Sequence, residues 1–171
     1  VVHYAALYKL PSVYDVVDSY QNNSGADFHQ TVADMAEIPR TQAKTINLGL
    51  FYGMGKAKLQ AELGVTKDKA AELFNTYHSR VPFVKQLMEK ASNRAQDRGQ
   101  IRTLLGRLCR FYLWEPNQFG MHKALPHEEA LREHGPGIKR AYTYKALNKL
   151  IQGSAADMTK KAMLELYKEG I

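Results

Sequence analysis

Cysteine is nearly absent from this sequence, which has a single one, Cys109, among 171 residues. One cysteine cannot form an internal disulfide, and no second cysteine or histidine stands at metal-ligand spacing from it. Disulfide-stapled scaffolds and zinc fingers are therefore excluded. We expect Cys109 to be a reduced, partly buried thiol, and the sequence predicts no metal site in this chain.

Long apolar runs are also missing. The longest have only a few residues, against the roughly 20 of a membrane-spanning helix, and the N-terminal residues lack the pattern of a secretion signal. A membrane partner is thus not expected. Hydrophobic residues still make up 44% of the chain, which is enough to bury a core and excludes a disordered chain. Because the first residue is Val1 and Ile171 follows directly on a helical pattern, we expect both ends to be cuts within a longer protein.

Positive charge is concentrated in the middle of the chain. Residues 1–39 carry five acidic side chains against one lysine, whereas residues 40–110 carry 14 Lys and Arg against five Asp and Glu. A basic segment of this density is typical of proteins that bind a polyanion such as nucleic acid or nucleotide phosphates. A solvated basic face is the equally simple alternative.

The periodicity of apolar residues predicts a mainly α fold. Residues 1–10 read as the end of a helix broken by Pro11. Further helices are predicted over residues 12–20, 28–37, 40–52, 56–63, 67–79, 82–98 and 138–169. Asp27 and Thr66 are expected to cap the helices that follow them, and Gly64 to end the helix over 56–63. Val84 and Leu87 are expected on the apolar face of the helix over 82–98. A small hairpin or loop is expected at 100–113, a surface insertion with one or two helical turns at 114–137, and an interruption of the last helix near Gly153.

The predicted helix over residues 40–52 has a charged end and an apolar end on one face. Arg40, Lys44, Leu48 and Tyr52 advance by about 40° per step, so they share a face about 120° wide. The two cations lie about 6 Å apart, close to the spacing of neighbouring phosphoryl groups. A nucleoside triphosphate fits such a face, although a solvated Arg and Lys pair is the commoner reason for this pattern.

Four segments together resemble the family A DNA polymerases, the bacterial DNA polymerase I type. They occur in the order of that family: residues 27–29 (DFH), 40–53 (RTQAKTINLGLFYG), 103–107 (TLLGR) and 148–157 (NKLIQGSAAD). Residues 113–116 look more like phage members. The resemblance implies a fragment with a segment leading from palm to fingers at 1–23, the fingers at 24–137 and a palm helix region at 138–171.

The resemblance also implies roles on the nucleotide side. His29, Arg40 and Lys44 would contact the incoming triphosphate, and Lys44 would be catalytic, because a lysine charged at neutral pH can both neutralise and protonate the departing pyrophosphate. Leu48 would pack on the sugar and base of that nucleotide. Tyr52 would stack at the template or nascent base pair.

Contacts with DNA are implied for residues in three of the four segments. Gly53 would lie at the nascent base pair, and Thr45 and Arg107 would touch the DNA backbone or minor groove. Asn148 and Gln152 would reach minor-groove acceptors, which every base pair presents and which therefore report geometry without sequence. The implied partners are primer-template DNA and deoxynucleoside triphosphates, bound by a monomer in the cytoplasm, or in the host cytoplasm if the source is viral.

Two departures from the family pattern stand out. Leu48 occupies a position where the family usually has Phe or Tyr, and Tyr144 stands where some relatives carry Arg. The two aspartate motifs that hold two Mg²⁺ ions in this family are missing from these residues. We therefore expect the metal ligands to lie outside this chain and the fragment by itself to be inactive.

Two alternatives from other classes stay open. One is a basic helical module that binds nucleic acid without chemistry, and the other is a stand-alone nucleotide-binding protein. Taken singly, the proposed site residues have simpler roles: a surface or capping histidine for His29, exposed amides for Asn148 and Gln152, and a core aromatic for Tyr52.

Overall fold

The computed structural model describes residues 1–36, 38–118 and 120–171, and these form two compact units. The first unit is Val1–Glu89 and the second is Lys90–Ile171. The mainly α class predicted from the sequence is confirmed. The subdivision expected at residues 23 and 137 concerns function rather than compactness and stays a prediction.

In the residues described, the regular elements of the first unit are all helices. Its elements are α1 (Val2–Leu7), a 3-10 turn (Pro11–Val13), α2 (Tyr14–Asn22), α3 (Phe28–Ala36), α4 (Arg40–Phe51), α5 (Lys56–Leu63), α6 (Lys67–Arg80) and the first half of α7 (Pro82–Arg98). The helix predicted to end at residue 37 has its end point outside the described residues.

Local signals position these helices. Thr66 accepts a hydrogen bond from the backbone N–H of Lys69 and caps α6, as its sequence position predicts. Gly64 ends α5 in the left-handed region at φ +63°. Along α7, Val84 and Leu87 are fully buried in the core, in agreement with the apolar stripe expected there. No helix in the described parts of the chain is both long enough and apolar enough to cross a membrane.

The second unit combines the end of α7 with short antiparallel strands and two helices. These elements are β1 (Gln100–Arg102), β2 (Leu108–Arg110), β3 (Leu113–Pro116), β4 (Leu125–Pro126), α8 (His127–His134), β5 (Ile138–Arg140), a 3-10 turn (Thr143–Lys145) and α9 (Ala146–Lys168). Strands β1 and β2 form the predicted hairpin, with Ile101 opposite Cys109. Cys109 is a free, half-buried thiol.

The described part of residues 114–137 contains the expected helical turns, as α8, together with strands that the sequence analysis did not predict. Strand β3 is the centre of a three-stranded sheet in the order β4-β3-β5, and α8 follows β4 directly. Strands of two to four residues are too short to show an alternating pattern, so the glycines and prolines between them dominated the prediction. Phe119, within the same stretch, lies outside the described residues.

Arg140 ties this sheet to the end of α7. Its guanidinium lies 4.5 Å from the centre of the Trp114 ring and donates to the backbone oxygens of Gln96 and Phe111, both at 3.0 Å. Gly99, at φ +64°, makes room for it, because a Cβ there would lie 2.8 Å from the guanidinium carbon. The glycine that ends α7 therefore also admits the arginine.

The last helix differs from its prediction in where it begins and in having no interruption. It begins at Ala146, because residues 138–140 form β5 and Tyr142 takes a left-handed backbone at φ +62°. It then runs without a break to Lys168, so the interruption expected near Gly153 is absent. That glycine serves a close contact instead, described below.

Candidate functional site

Helix α4 separates a buried face from an exposed one. Ala43, Ile46 and Leu50 are at most 1% exposed and join the core of the first unit. Lys44 and Leu48 lie on the exposed side, and 43% of Leu48 is accessible. For Lys44 and Leu48 this arrangement agrees with the helical face predicted from the sequence, whereas Tyr52, the fourth predicted member, lies past the end of the helix.

A cleft of about 670 Å³ opens beside α4, and it brings together three of the five predicted nucleotide-binding residues. His29, Arg40 and Leu48 line it, together with Asp27 and Phe51. The cleft thus offers cationic and imidazole groups beside an apolar side chain and an aromatic ring. Lys44 and Tyr52 are not among its lining residues.

Asp27 organises the charged end of this cleft. Its Oδ1 accepts hydrogen bonds from the backbone N–H groups of His29 (2.9 Å) and Gln30 (3.3 Å), which caps α3 as predicted. Its Oδ2 accepts from Nε (2.8 Å) and Nη2 (2.5 Å) of Arg40. The Arg40 guanidinium is the main cause that lowers the pKa of Asp27 from its ordinary value. One carboxylate therefore joins the start of α3 to the start of α4.

The side chain of His29 is held from α4. Its Nδ1 lies 2.9 Å from Nδ2 of Asn47, across 18 residues of sequence. Asn47 is fully buried, and its Oδ1 has no hydrogen-bond partner among the described residues. The half-buried imidazole is thus fixed at one ring nitrogen.

Lys44 and Thr45 stand on the part of α4 that follows Arg40. Lys44 is exposed and forms no hydrogen bond or ion pair within the described ranges, which leaves its ammonium group available to a ligand. The Thr45 hydroxyl donates to the backbone oxygen of Thr41 at 3.4 Å. Neither side chain is committed to the core.

Tyr52 and Gly53 lie just beyond the end of α4. Half-buried Tyr52 follows the last helical residue. Gly53 has φ +82°, a backbone conformation that favours glycine, and it donates its N–H to the backbone oxygen of Leu50. Gly49 leaves the space that the side chain of Met54 occupies. The chain therefore turns tightly here against α4.

In the second unit, a buried carboxylate docks the hairpin on α9. Asp157, 8% exposed, accepts from the Thr103 hydroxyl (2.5 Å) and from Nε of Arg107 (2.7 Å). The Arg107 Nη2 group also donates to the backbone oxygen of Gly153 at 2.9 Å. The backbone N–H of Leu104 donates to the Ser154 hydroxyl at 3.0 Å. The TLLGR and QGSAAD segments, distant in sequence, thus form one hydrogen-bonded contact.

This contact requires glycine at position 153, because there is no room for a side chain. A Cβ at this position would lie 2.9 Å from Cγ2 of Thr103 and 3.2 Å from Nη2 of Arg107. A glycine inside a helix costs about 1 kcal/mol relative to alanine. The close approach of the hairpin accounts for its presence in α9.

The three predicted DNA-binding residues of the second unit lie near one another. Asn148 is half-buried and Gln152 exposed, and their spacing of four places them on one side of α9. Arg107 reaches the backbone of Gly153, the residue after Gln152. Its side chain is 49% accessible, so part of the guanidinium faces solvent.

The Asp157 network predicts a pH dependence of stability. Hydrogen bonds from Thr103 and then from Arg107 lower the pKa of Asp157 in the folded state. Its contribution is therefore complete above the unfolded value of about 3.9 and is lost as the pH falls through the folded pKa. Urea unfolding should show a stability difference between wild type and Asp157→Asn that is largest near neutral pH and shrinks on acidification.

Asp97→Asn is the control for this measurement, because it removes one negative charge from the second unit without touching the network. It reports the effect of net charge alone. A difference between wild type and Asp157→Asn that stays constant or widens in acid would contradict the proposed stabilisation by the carboxylate.

Sequence reasoning missed four residues that organise these contacts. They are Asp27 as the partner of Arg40, Asn47, Thr103 and Asp157. Each falls inside one of the quoted segments, so its position carried a signal. No local pattern, however, indicates a partner 13 to 54 residues away. Among the described residues, no group of three or more His, Cys, Asp or Glu side chains can hold a metal ion.

Comparison with known proteins identifies the class. The family model for DNA polymerase family A matches residues 10–170. A DNA-directed DNA polymerase of Pseudomonas phage M6 is 32% identical over an alignment that covers 99% of this chain and 29% of that protein. DNA polymerase I of Geobacillus stearothermophilus is 33% identical over 81% of this chain and 14% of that protein.

A solved structure of a DNA polymerase is also similar to this chain. The POL domain of Pol1 from M. smegmatis, in complex with DNA primer-template and dNTP, matches with a TM-score of 0.63 and 26% identity over 87% of this chain and 26% of that chain. This chain belongs to DNA polymerase family A. It spans less than a third of the length of the relatives named here.

Proposed function

We propose that this chain forms the fingers and adjoining palm helices of a template-directed DNA polymerase, which adds deoxynucleoside triphosphates to a primer 3′ end. The observation that carries the proposal is the cleft beside α4, where His29, Arg40 and Leu48 meet. Family membership supports DNA synthesis in general. The nucleotide and DNA contacts of particular residues are the part that we propose.

The triphosphate binds at the charged end of the cleft in this proposal. The Arg40 guanidinium uses Nε and Nη2 on Asp27, which leaves Nη1 for a phosphate oxygen. Its side chain is 51% accessible. Asp27 thus holds the guanidinium in place, and the arginine reaches the ligand from a fixed position.

Lys44 acts on the leaving group. The primer 3′ hydroxyl loses its proton to solvent and its oxygen forms a bond to the α-phosphorus. The bond from that phosphorus to the bridging oxygen breaks, and pyrophosphate departs with the bonding electrons. The Lys44 ammonium, which has no protein partner in the described ranges, neutralises this oxygen and donates a proton to it.

Leu48 and Tyr52 contact the base and sugar side of the nucleotide, and Gly53 lies at the nascent base pair. Stacking of an aromatic ring on a base tolerates every sequence, as copying requires. Thr45 and Arg107 contact the DNA backbone or minor groove. Asn148 and Gln152 donate to minor-groove acceptors near the primer end.

Family A polymerases are metal-dependent in general, but the described residues of this chain do not offer a metal site. We propose two Mg²⁺ ions held by carboxylates outside these residues, and a monomeric enzyme in the cytoplasm, or in the host cytoplasm if the source is viral. The isolated chain is accordingly inactive.

Primer extension tests the proposal. A polymerase that contains this chain and the metal-binding aspartates should add the templated nucleotide, and the 171-residue chain alone should not. Extension by the chain alone would overturn this division of roles. A different result would favour a binding module without chemistry. In that case the protein binds DNA in a salt-sensitive way, Lys44→Ala does not change this binding, and the primer is not extended. Tight triphosphate binding without DNA would favour a stand-alone nucleotide-binding protein.

A further inference from the structure

Asn47 is a polar side chain in an otherwise apolar position. It is 0% exposed and lies on the buried face of α4 with Ala43, Ile46 and Leu50. Burying an amide is unfavourable unless it is hydrogen-bonded, and a leucine here would pack without that cost. The position therefore suggests a role for the amide beyond packing.

Within the described residues, the side-chain amide of Asn47 has one hydrogen bond, and it goes to His29. The Asn47 Nδ2 group lies 2.9 Å from Nδ1 of the imidazole, while Oδ1 has no partner in the described part of the chain. The reversed amide would leave the NH₂ group without an acceptor. Buried N–H groups without acceptors are rarer than under-satisfied carbonyl oxygens, so the orientation with Nδ2 as the donor is favoured.

This hydrogen bond determines which ring nitrogen carries the proton. A neutral imidazole that accepts at Nδ1 must carry its hydrogen at Nε2. Nε2 forms no hydrogen bond within the described ranges, and His29 lines the cleft beside α4. The ring thus keeps its donor for a ligand.

We propose that Asn47 is a positioning residue, which holds the His29 ring so that Nε2–H donates to a phosphate oxygen of the incoming nucleotide. Asp27 fixes the backbone of His29 through its N–H, and Asn47 fixes the side chain. The anchors come from α4 and from the cap of α3, the helix that carries His29. This inference rests on the proposed function of the cleft.

The tautomer is measurable without nucleotide or activity. In the ¹⁵N-labelled chain, two-bond ¹H–¹⁵N correlations in alkaline buffer should show His29 with Nδ1 unprotonated and Nε2 protonated. His29→Gln assigns the signals by their loss. Protonated Nδ1 in the wild-type chain would overturn the inference outright.

Two substitutions and a control extend this test. Asn47→Asp should move the proton to Nδ1, because a carboxylate can only accept there. Asn47→Leu should return the ring to the mixture of a free histidine side chain, in which Nε2–H is the major form and Nδ1–H becomes detectable. Gln42→Leu, which removes an amide elsewhere on α4, should leave the His29 spectrum unchanged. A wild-type pattern in Asn47→Leu would contradict the proposal, and circular dichroism verifies that each variant is folded.

Nucleotide kinetics in the complete polymerase give the second readout. Asn47→Leu should raise KM for the incoming nucleotide roughly three- to tenfold, with a smaller effect on kcat. In a His29→Ala background, Asn47→Leu should cause no further increase in KM. Equal effects of Asn47→Leu with and without His29 would show a merely structural role. If His29→Ala leaves KM unchanged, the proposed role of His29 fails, and the inference about phosphate fails with it.

Discussion

Replacing Lys44 by alanine should lower the rate of single-nucleotide addition by a factor on the order of 10² to 10³. In the proposed mechanism, the substitution removes both a positive charge and a proton donor from the oxygen that leaves with pyrophosphate. Lys44 is exposed on α4 and has no protein partner in the described ranges, so its loss should not disturb the fold. Rapid-quench kinetics with saturating nucleotide measure this rate directly.

Two variants separate the parts of this effect. Lys44→Arg keeps the charge but exchanges an ammonium for a weaker acid, so the rate should recover only partly. Lys58→Ala removes another exposed lysine, from α5, and should leave the rate unchanged. A Lys44→Ala enzyme within a factor of two of wild type would contradict the catalytic role.

The second large effect is expected at Leu48. In the proposed site, leucine keeps an apolar contact with the sugar and base but has no ring face or hydroxyl. A dideoxynucleotide lacks the 3′ hydroxyl and therefore any hydrogen bond that this hydroxyl forms. Leu48 has no polar group that could replace such a hydrogen bond. We therefore expect strong discrimination against dideoxynucleotides in the wild type. Leu48→Tyr should reduce this discrimination on the order of ten- to a hundredfold, the value of a hydrogen bond to a charged group.

The competing incorporation of a dideoxynucleotide and its normal counterpart measures this ratio. Leu48→Phe adds the ring without the hydroxyl and separates the two contributions. Because Leu48 is 43% exposed, a larger aromatic side chain fits without repacking the core. Unchanged dideoxynucleotide incorporation in Leu48→Tyr would refute the assigned contact.

Predictions from local signals agree with the structure where neighbouring residues decide the outcome. The cap at Thr66 and the left-handed Gly64 act within four residues of the helix end that they define. The same holds for Asp27 at the start of α3. These features depend on backbone hydrogen bonds of a single turn, which the sequence states directly.

Predictions were incomplete or wrong where distant partners decide. The strands β3, β4 and β5 were not predicted, because β3 pairs with both of the others, a choice that no segment of two to four residues encodes alone. Gly153 resembles a helix breaker in the sequence. In the folded chain, Gly153 packs against the side chain of Thr103, which leaves no room for a Cβ. The two residues are 50 positions apart, so the sequence around Gly153 does not indicate this contact.

The candidate site divides in the same way. The sequence by itself determined the helical face of α4, since a period of 3.6 residues places Arg40, Lys44 and Leu48 together wherever the helix packs. Tertiary structure alone decided that Asp27 holds Arg40 and that Asn47 holds His29. These pairs join residues 13 and 18 positions apart, and such contacts arise only when hydrophobic burial brings α3 and α4 together.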